Sequence, residues 1–421
     1  MNLTRVPRPR PRGAVFVSYR QWDGKDVTAR VAWALRAVGI PVWHDETDLP
    51  PGDTIRVIGQ ALNSGLSGAV LVVTDDIVNS SVVKKVEWPK IRELNEEGEF
   101  TLGVLNAVKD ANGNVYAAPD RLLRRWSDRL LGRYTHHLRG LKQYRLSTEQ
   151  DQISELAADM LRQRLHHLAD SIAARGYVHI DLATRADPTA EHAESADLSF
   201  RWDRSGRTDG EHTAERSLHQ HFHVAAASIR QHTTGRLRFH GQAHLSFGTA
   251  IGASLTLGPA IEFANEDGLW VIDRYSDATA TPLTRAAIHS RNTSGPVLVF
   301  VDLLPPESAA AYDSLVLSGQ WTESVRIQRP HRSQPIRSED ASQLAHEIAT
   351  TIREASGRNR NAQVHLLVYA PLPIALFVGS LLNTVDVVVY EWQRPTDGHP
   401  AAYVPTFRLR PGEPNPISIA E

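Results

Sequence analysis

Between residues 14 and about 110, short apolar runs alternate with stretches of helical periodicity, and this rhythm limits the folds open to the chain. AVFVSY, IPVW, GAVLVVT and FTLGVLNAV read as four strands. DVTARVAWALRAVG and DTIRVIGQALNSG, lying between them, space their apolar residues at helical intervals. Strands joined through helices cannot pair as hairpins, so they lie parallel in a sheet with helices on both faces. Such a sheet binds its ligands beyond the carboxyl ends of its strands.

The chain continues far past one such domain. Its 421 residues, 41% of them apolar, suffice for more than one core at roughly 100–200 residues per domain. From 121 to 175 the sequence is helical and charge-rich, with Ser147-Thr148-Glu149 as a start signal and Gly176 as a stop. From about 217 the alternation resumes. Helices are expected at SLHQHFHVAAASIRQH and near SFGTAIGASLTL, and strands at GRLRFHGQA, GLWVIDRY and GPVLVFVDLL. A second round follows, with DASQLAHEIATTIREA and IALFVGSLLNT as helices and VHLLVYA, VDVVVYEW and YVPTFRLR as strands. Two rounds of strand, turn and Gly-containing helix suggest an internal duplication of Rossmann-like halves. The expected division is a disordered leader over 1–12, a first domain over 13–145, a helical connector over 146–185 and a second domain over 186–421.

Composition removes several classes of function. Lys and Arg total 46 against 48 Asp and Glu, so a net charge of -2 gives no global attraction to polymeric nucleic acid or an acidic membrane. With no cysteine, disulfides, thiolate metal sites and cysteine nucleophiles are excluded. The basic, proline-rich start lacks the apolar core of a signal peptide, so a cytoplasmic location is the default. The uncharged run from 366 to 382 is split by Pro371 and Pro373, which favours a strand, a turn and a buried helix over a membrane span.

Chemistry concentrates in a few places. HDETDLPPGD, residues 44 to 53, holds Asp45, Glu46, Asp48 and Asp53 around a Pro-Pro-Gly turn, and is a metal loop, a solvated turn or a flap over a substrate. The calcium-loop spacing is absent. Tyr19 and Arg20 end the first strand, Asp45 follows the second with Trp43 just before it, and Glu87 lies on the helix after the third. Three strand ends facing one crevice gather an aromatic ring, a cation and two carboxylates. Glu93 competes with Glu87, which could instead be a surface residue paired with Lys84 or Lys90. His219, His221 and His223 in HQHFH tempt a zinc assignment, but alternate helical positions do not share a face, and no metal is expected.

FVSYR, PVWHDETDLPPGDTI, VLVVT and SSVVKKVEW resemble, in order and spacing, the signature regions of a TIR domain over about residues 13 to 115. The resemblance implies a flavodoxin-like α/β fold in which HDETDLPPGD is the mobile loop used in self-association. Many TIR domains cleave NAD+ at the nicotinamide-ribose bond with a glutamate at the place of Glu87. By the same resemblance Tyr19 and Arg20 lie against NAD+, and Asp45 orients it. NAD+ is then a substrate, and no cofactor is needed. Related enzymes often carry an aromatic residue four positions before the glutamate; here Val83 stands there, so Trp43 or a neighbouring molecule supplies the stacking face.

LRFHGQAHLSFGTAIGASL, VHLLVYAPLPIALFVGSLLNTVDVVVYEWQRP and YVPTFRLR resemble a SAVED domain, two fused CARF-like Rossmann halves that sense cyclic oligonucleotides, over roughly 190 to 415. In both halves a strand ends at a turn that opens a helix, so backbone N–H groups can face phosphates. Ser246, Phe247 and Gly248 form one such turn, and Pro371, Leu372 and Pro373 the other. Trp202, Phe247, Tyr390 and Trp392 offer faces for adenine, and Arg201, Arg204 and Arg394 offer cations. Together the two resemblances imply a TIR–SAVED effector of cyclic-oligonucleotide antiphage (CBASS) defence. Its activator would be a cyclic tri-adenylate or similar molecule, its active form an open head-to-tail oligomer or filament. The rival readings are a TIR scaffold without catalysis and a SAVED domain that degrades its own ligand.

Overall fold

The computed structural model describes residues 8–43, 54–109, 112, 138, 141–146, 152–184, 195–201, 214–232, 235–256, 260–272, 282–289, 294–305, 309–393, 401–410, 412–413 and 415–420. Its contacts divide the chain into two compact units, Met1–Asp181 with Pro188–Trp202 and Thr208–His232, and Leu182–Asp187 with Asp203–Arg207 and Thr233–Glu421. The leader up to residue 7, the loop 44–53, the start signal Ser147-Thr148-Glu149 and the stretch 121–137 lie outside the described residues.

In the first unit the elements are β1 (Val15–Ser18), α1 (Gln21–Ala37), β2 (Val42–Trp43), α2 (Thr54–Leu62), β3 (Gly68–Val73), α3 (Trp88–Glu96), β4 (Thr101–Asn106) and β5 (Gln143–Arg145). All four strand pairs are parallel and the order is β2-β1-β3-β4-β5. This is the flavodoxin-like order, whose reversal point lies between β1 and β3. After it come α4 (Ile153–His167), α5 (Ala169–Arg175), β6 (Tyr177–Ala183), β7 (Leu198–Arg201) and α6 (Ala214–His232). The expected stop at Gly176 is real: it adopts φ 80, and its N–H bonds the Ile172 carbonyl at 2.8 Å. Helices α1, α4 and α6 pack on one another.

Arg164 on α4 ties this unit together. Only 4% exposed, it donates to the carbonyls of Arg12, Gly13 and Asp197 at 2.7–2.9 Å and to Ser67 Oγ at 3.1 Å. The segments entering β1, β3 and β7 therefore share one guanidinium. Burial lowers its pKa to about 10, so it stays charged at neutral pH. The adjacent Asp197 carboxylate is itself bound by Arg12, by Arg175 and by the His179 N–H.

The second unit holds β8 (Arg236–Gln242), α7 (Leu245–Ser254), β9 (Ala260–Asn265), β10 (Gly268–Val271), β11 (Thr284–His289), β12 (Val297–Asp302), α8 (Ala309–Leu317), β13 (Glu323–Gln328), α9 (Ala341–Arg358), β14 (Val364–Tyr369), α10 (Leu372–Leu381), β15 (Val387–Gln393), β16 (Ala402–Leu409) and β17 (Ile417–Ile419). The last seven strands form a sheet of order β11-β13-β12-β14-β15-β16-β17, parallel from β13 to β15 and antiparallel at its margins. The uncharged run 366–382 is part of β14 followed by α10, and among the described residues no helix is long and apolar enough to cross a membrane.

Helices α7 and α10 explain how two halves fuse. A Cβ on Gly252 would fall 2.1 Å from the Leu376 carbonyl, and one on Gly379 the same distance from the Thr249 carbonyl. The two glycines thus play equivalent parts in a pseudo-twofold pair, each exposing a backbone that its partner touches. Contacts of Gly248 with Leu372 and of Gly252 with Leu376 advance in the same direction, so the helices run parallel with their N-termini at one end.

Two stability changes follow. Gly252→Ala or Gly379→Ala forces backbone apart and is expected to cost about 3 kcal/mol in urea unfolding of the second unit. Arg164→Met keeps the volume but strands four acceptors, and is expected to lower the stability of the first unit by about 3 kcal/mol.

Candidate functional sites

At the β1/β3 reversal point the decisive local feature is a π-helical turn. The helix after β3 starts behind Ser80, whose Oγ accepts from the Val83 N–H at 3.3 Å. Residues Val83–Glu87 then form one π turn, in which the Trp88 N–H reaches back to Val83 O, before α3 begins. Pro89 sits at the head of α3 and has no N–H to continue the ladder, so a widened turn is accommodated directly before it. Val83 and Trp88 point into the core at 0% and 3% exposure, and Glu87 is placed against the end of β1.

Glu87 is 6% exposed and accepts a 2.6 Å hydrogen bond from Ser18 Oγ. The expected alternative for it, a solvated helix residue paired with lysine, does not describe this burial. Lys90 instead bonds Glu93, whose side chain is 43% exposed. Around the same strand ends, Arg20 donates to Asp76 at 3.1 Å, and Asp23 on α1 accepts from Thr74 Oγ1 at 2.8 Å and from the Asp76 N–H at 2.9 Å. Hydrogen bonds from Asn79 and then Arg20 hold the Asp76 carboxyl below its ordinary pKa.

Not all expected residues join this group. Tyr19 does lie beside it, since a Cβ on Gly24 of α1 would meet both the Tyr19 ring at 3.2 Å and Thr74 at 3.7 Å, while its neighbour Ser18 turns to Glu87. Trp43 stacks on Phe16 at 5.0 Å, its register partner, and so belongs largely to the core. Val83, expected at the NAD+ site, is core and offers no surface. Asp45 lies outside the described residues. Ser18, Asp23 and the 85% exposed Trp22 were not expected. The signal for Ser18 was a hydroxyl at the end of an otherwise apolar strand.

The second unit has its own reversal point, between β12 and β14, where Asp302 and Tyr369 are register partners. Asp302 is 1% exposed, and its Oδ2 accepts from Arg326 at 2.7 Å, Arg332 at 2.6 Å and Gln328 at 2.8 Å. Its buried Oδ1 has no partner. Arg326 also lies over the rings of Phe300 and Tyr312. None of these residues was expected, although a carboxylate closing the run VLVFV was a visible sign.

The residues expected at a ligand pocket scatter. Ser246 is buried and its N–H donates to Glu391 at 3.0 Å, so a carboxylate caps α7. Phe247 packs edge-on to Phe407, and Gly248 meets Leu372. Pro371 caps α10, with Leu372 half-buried and Pro373 buried. Tyr390 is 6% exposed and its hydroxyl lies 2.8 Å from His365 Nδ1. Trp392 meets Tyr369 edge-on at 6.1 Å, with a buried Nε1 that has no partner. Phe247 and Tyr390 are therefore core aromatics rather than open faces. Arg201 pairs with Asp181 in the first unit, and Trp202, Arg204 and Arg394 lie outside the described residues.

The histidine run divides as helical spacing requires. His221 is 9% exposed and lies 2.8 Å from Ser154 Oγ, while His223 has a buried Nδ1 without a partner. Among the described residues no group of three or more potential ligands converges on a metal position.

A flavodoxin-order sheet with a buried carboxylate at its reversal point, followed by two fused α/β halves with paired helix N-termini, defines a chain of two distinct α/β domains. Residues 15–113 match the TIR domain family, and residues 218–409 match SAVED, the SMODS-associated sensor domain fused to various effectors. The chain thus joins a TIR domain to a SAVED domain. Over 94 residues it is 31% identical to the 2′ cyclic ADP-D-ribose synthase AbTIR of Acinetobacter baumannii, covering 21% of this chain and 34% of that protein. Over 92 residues it is 34% identical to the NAD(+) hydrolase PdTIR of Paracoccus denitrificans, covering 22% of this chain and 28% of that one. The chain spans about a third or less of the curated relatives it matches. The Acinetobacter baumannii Cap4 SAVED/CARF-domain containing receptor with 3′3′3′-cAAA aligns over 92% of this chain and 98% of its own at 14% identity and a TM-score of 0.44.

Burial, then the neighbours His223, Arg30 and His219, lowers the His221 pKa to about 4. An unfolded histidine titrates near 6.5, so between these values the unfolded chain binds more protons and stability falls as pH falls. Acidification from pH 7 to pH 5 is expected to cost the first unit about 2 kcal/mol through this group, and His221→Gln should flatten that part of the pH dependence of unfolding.

Proposed function

We propose that this chain is an NAD+ glycohydrolase switched on by a cyclic oligonucleotide. The observation that carries the reading is Glu87, a buried carboxylate held at the strand reversal point of a TIR sheet. In the proposed reaction the C1′–N bond breaks, its electron pair leaves with neutral nicotinamide, and the ribose develops oxocarbenium character. Glu87 stabilises that cation, and water completes ADP-ribose with release of a proton. The leaving group needs no general acid. The kinship with AbTIR, which is named a cyclase, leaves attack by an internal hydroxyl as the competing fate of the same cation.

For the SAVED domain, the parallel N-termini of α7 and α10 and the arginine pair on Asp302 support an anionic ligand with nucleobases. A cyclic tri-adenylate is the activator proposed, and a ligand that bridges two copies head to tail gives the open oligomer in which neighbouring TIR domains become active. Loss of NAD+ after infection then halts the host cell, in the manner of CBASS antiphage defence.

The test is NAD+ consumption by the purified protein against a panel of cyclic di-, tri- and tetranucleotides, with Glu87→Gln alongside. Consumption with a single ligand, reduced about 10³-fold or more in the variant, is the expected result. Ligand binding and self-association without NAD+ loss would instead support a TIR scaffold that recruits another effector.

A further inference from the structure

We infer that Ser18 is a positioning residue for NAD+ cleavage, fixing the rotation of the Glu87 carboxylate that faces the ribose. This rests on the glycohydrolase reading of the first domain.

A polar group at this place is costly. Ser18 ends the strand VFVS, is 0% exposed, and lies on the same strand face as Phe16, two residues earlier, which packs in the core with Val83 and Trp88. A hydroxyl there is tolerated only with an acceptor, and Ser18 has one, Glu87 Oε2 at 2.6 Å. That distance is in the range of hydroxyl–carboxylate hydrogen bonds, which are stronger than neutral ones.

Two constraints then act on the glutamate from different elements. The π turn, with the Trp88 N–H bonded to Val83 O ahead of Pro89, decides where the Glu87 backbone stands. The β1 hydroxyl decides how the carboxylate is turned at the end of that side chain. Glycosyl cleavage needs an oriented negative charge only as the ribose cation develops, so orientation set in advance lowers the barrier without strengthening substrate binding. Removing the hydroxyl therefore affects kcat far more than KM.

The experiment uses the full-length protein with its activating cyclic oligonucleotide, comparing wild type, Ser18→Ala, Ser18→Cys, Glu87→Gln and the Ser18→Ala/Glu87→Gln double variant. Ser18→Ala is expected to lower kcat about 30-fold with KM within about twofold. Ser18→Cys, of similar size but a weaker donor, is expected between the two. In the Glu87→Gln background, Ser18→Ala should add no further loss, because the group it positions is gone. A kcat unchanged in Ser18→Ala, or a loss carried by KM alone, overturns the inference while leaving the glycohydrolase reading intact. A wild type that consumes no NAD+ with any activator overturns that reading, and the inference with it.

Discussion

The first unit depends on how one buried guanidinium is satisfied. Arg164 keeps its charge despite burial, and three carbonyls and a hydroxyl absorb its N–H groups. Those acceptors lie where the chain enters β1, β3 and β7, so a single side chain sets the relative position of segments far apart in sequence. Short strands are stiff, and fixing β1 and β3 at their starts also fixes their carboxyl ends, where Ser18 and Thr74 stand. The clamp and the site at the reversal point thus stand at opposite ends of the same two strands.

The SAVED unit solves a different problem, the fusion of two similar halves. Its central helices meet through glycine backbones rather than interlocking side chains. The close approach brings two helix N-termini to one end. Glu391 already occupies one of those N–H groups, that of Ser246, while Arg326 and Arg332 hold the carboxylate of Asp302.

Much of this architecture was legible in the sequence because its strands are continuous apolar runs. β1, β3, β4, β12, β14 and β15 are buried on both faces, and the helices between them carry clear helical spacing. β11 escaped notice for the opposite reason: all six of its residues are exposed, so neither alternation nor a run marks it. β13 was missed because its ESVRIQ pattern places charges on residues that pair internally, Glu323 with Arg358 and Arg326 with Asp302. The position of Glu87 was readable from the TIR motifs, but its environment was not. A π turn ahead of Pro89 shifts the helical register that spacing arguments assume, and the partner Ser18 lies sixty-nine positions away in sequence. Aromatic residues misled in the other direction, since Trp43, Phe247 and Tyr390 all serve the core.

One border in the fold has an architectural consequence. The SAVED match begins at residue 218, inside α6, yet α6 packs with α1 and α4 in the unit that holds the TIR sheet. Leu218, Phe222, Ala225, Ala226 and Ile229 make its buried stripe, and Phe222 meets Phe200 edge-on at 5.4 Å. The border between the two families in sequence is therefore not a border in folding. A chimera joined at residue 218 would cut this helix in mid-turn and part Leu218 from the rest of its buried stripe.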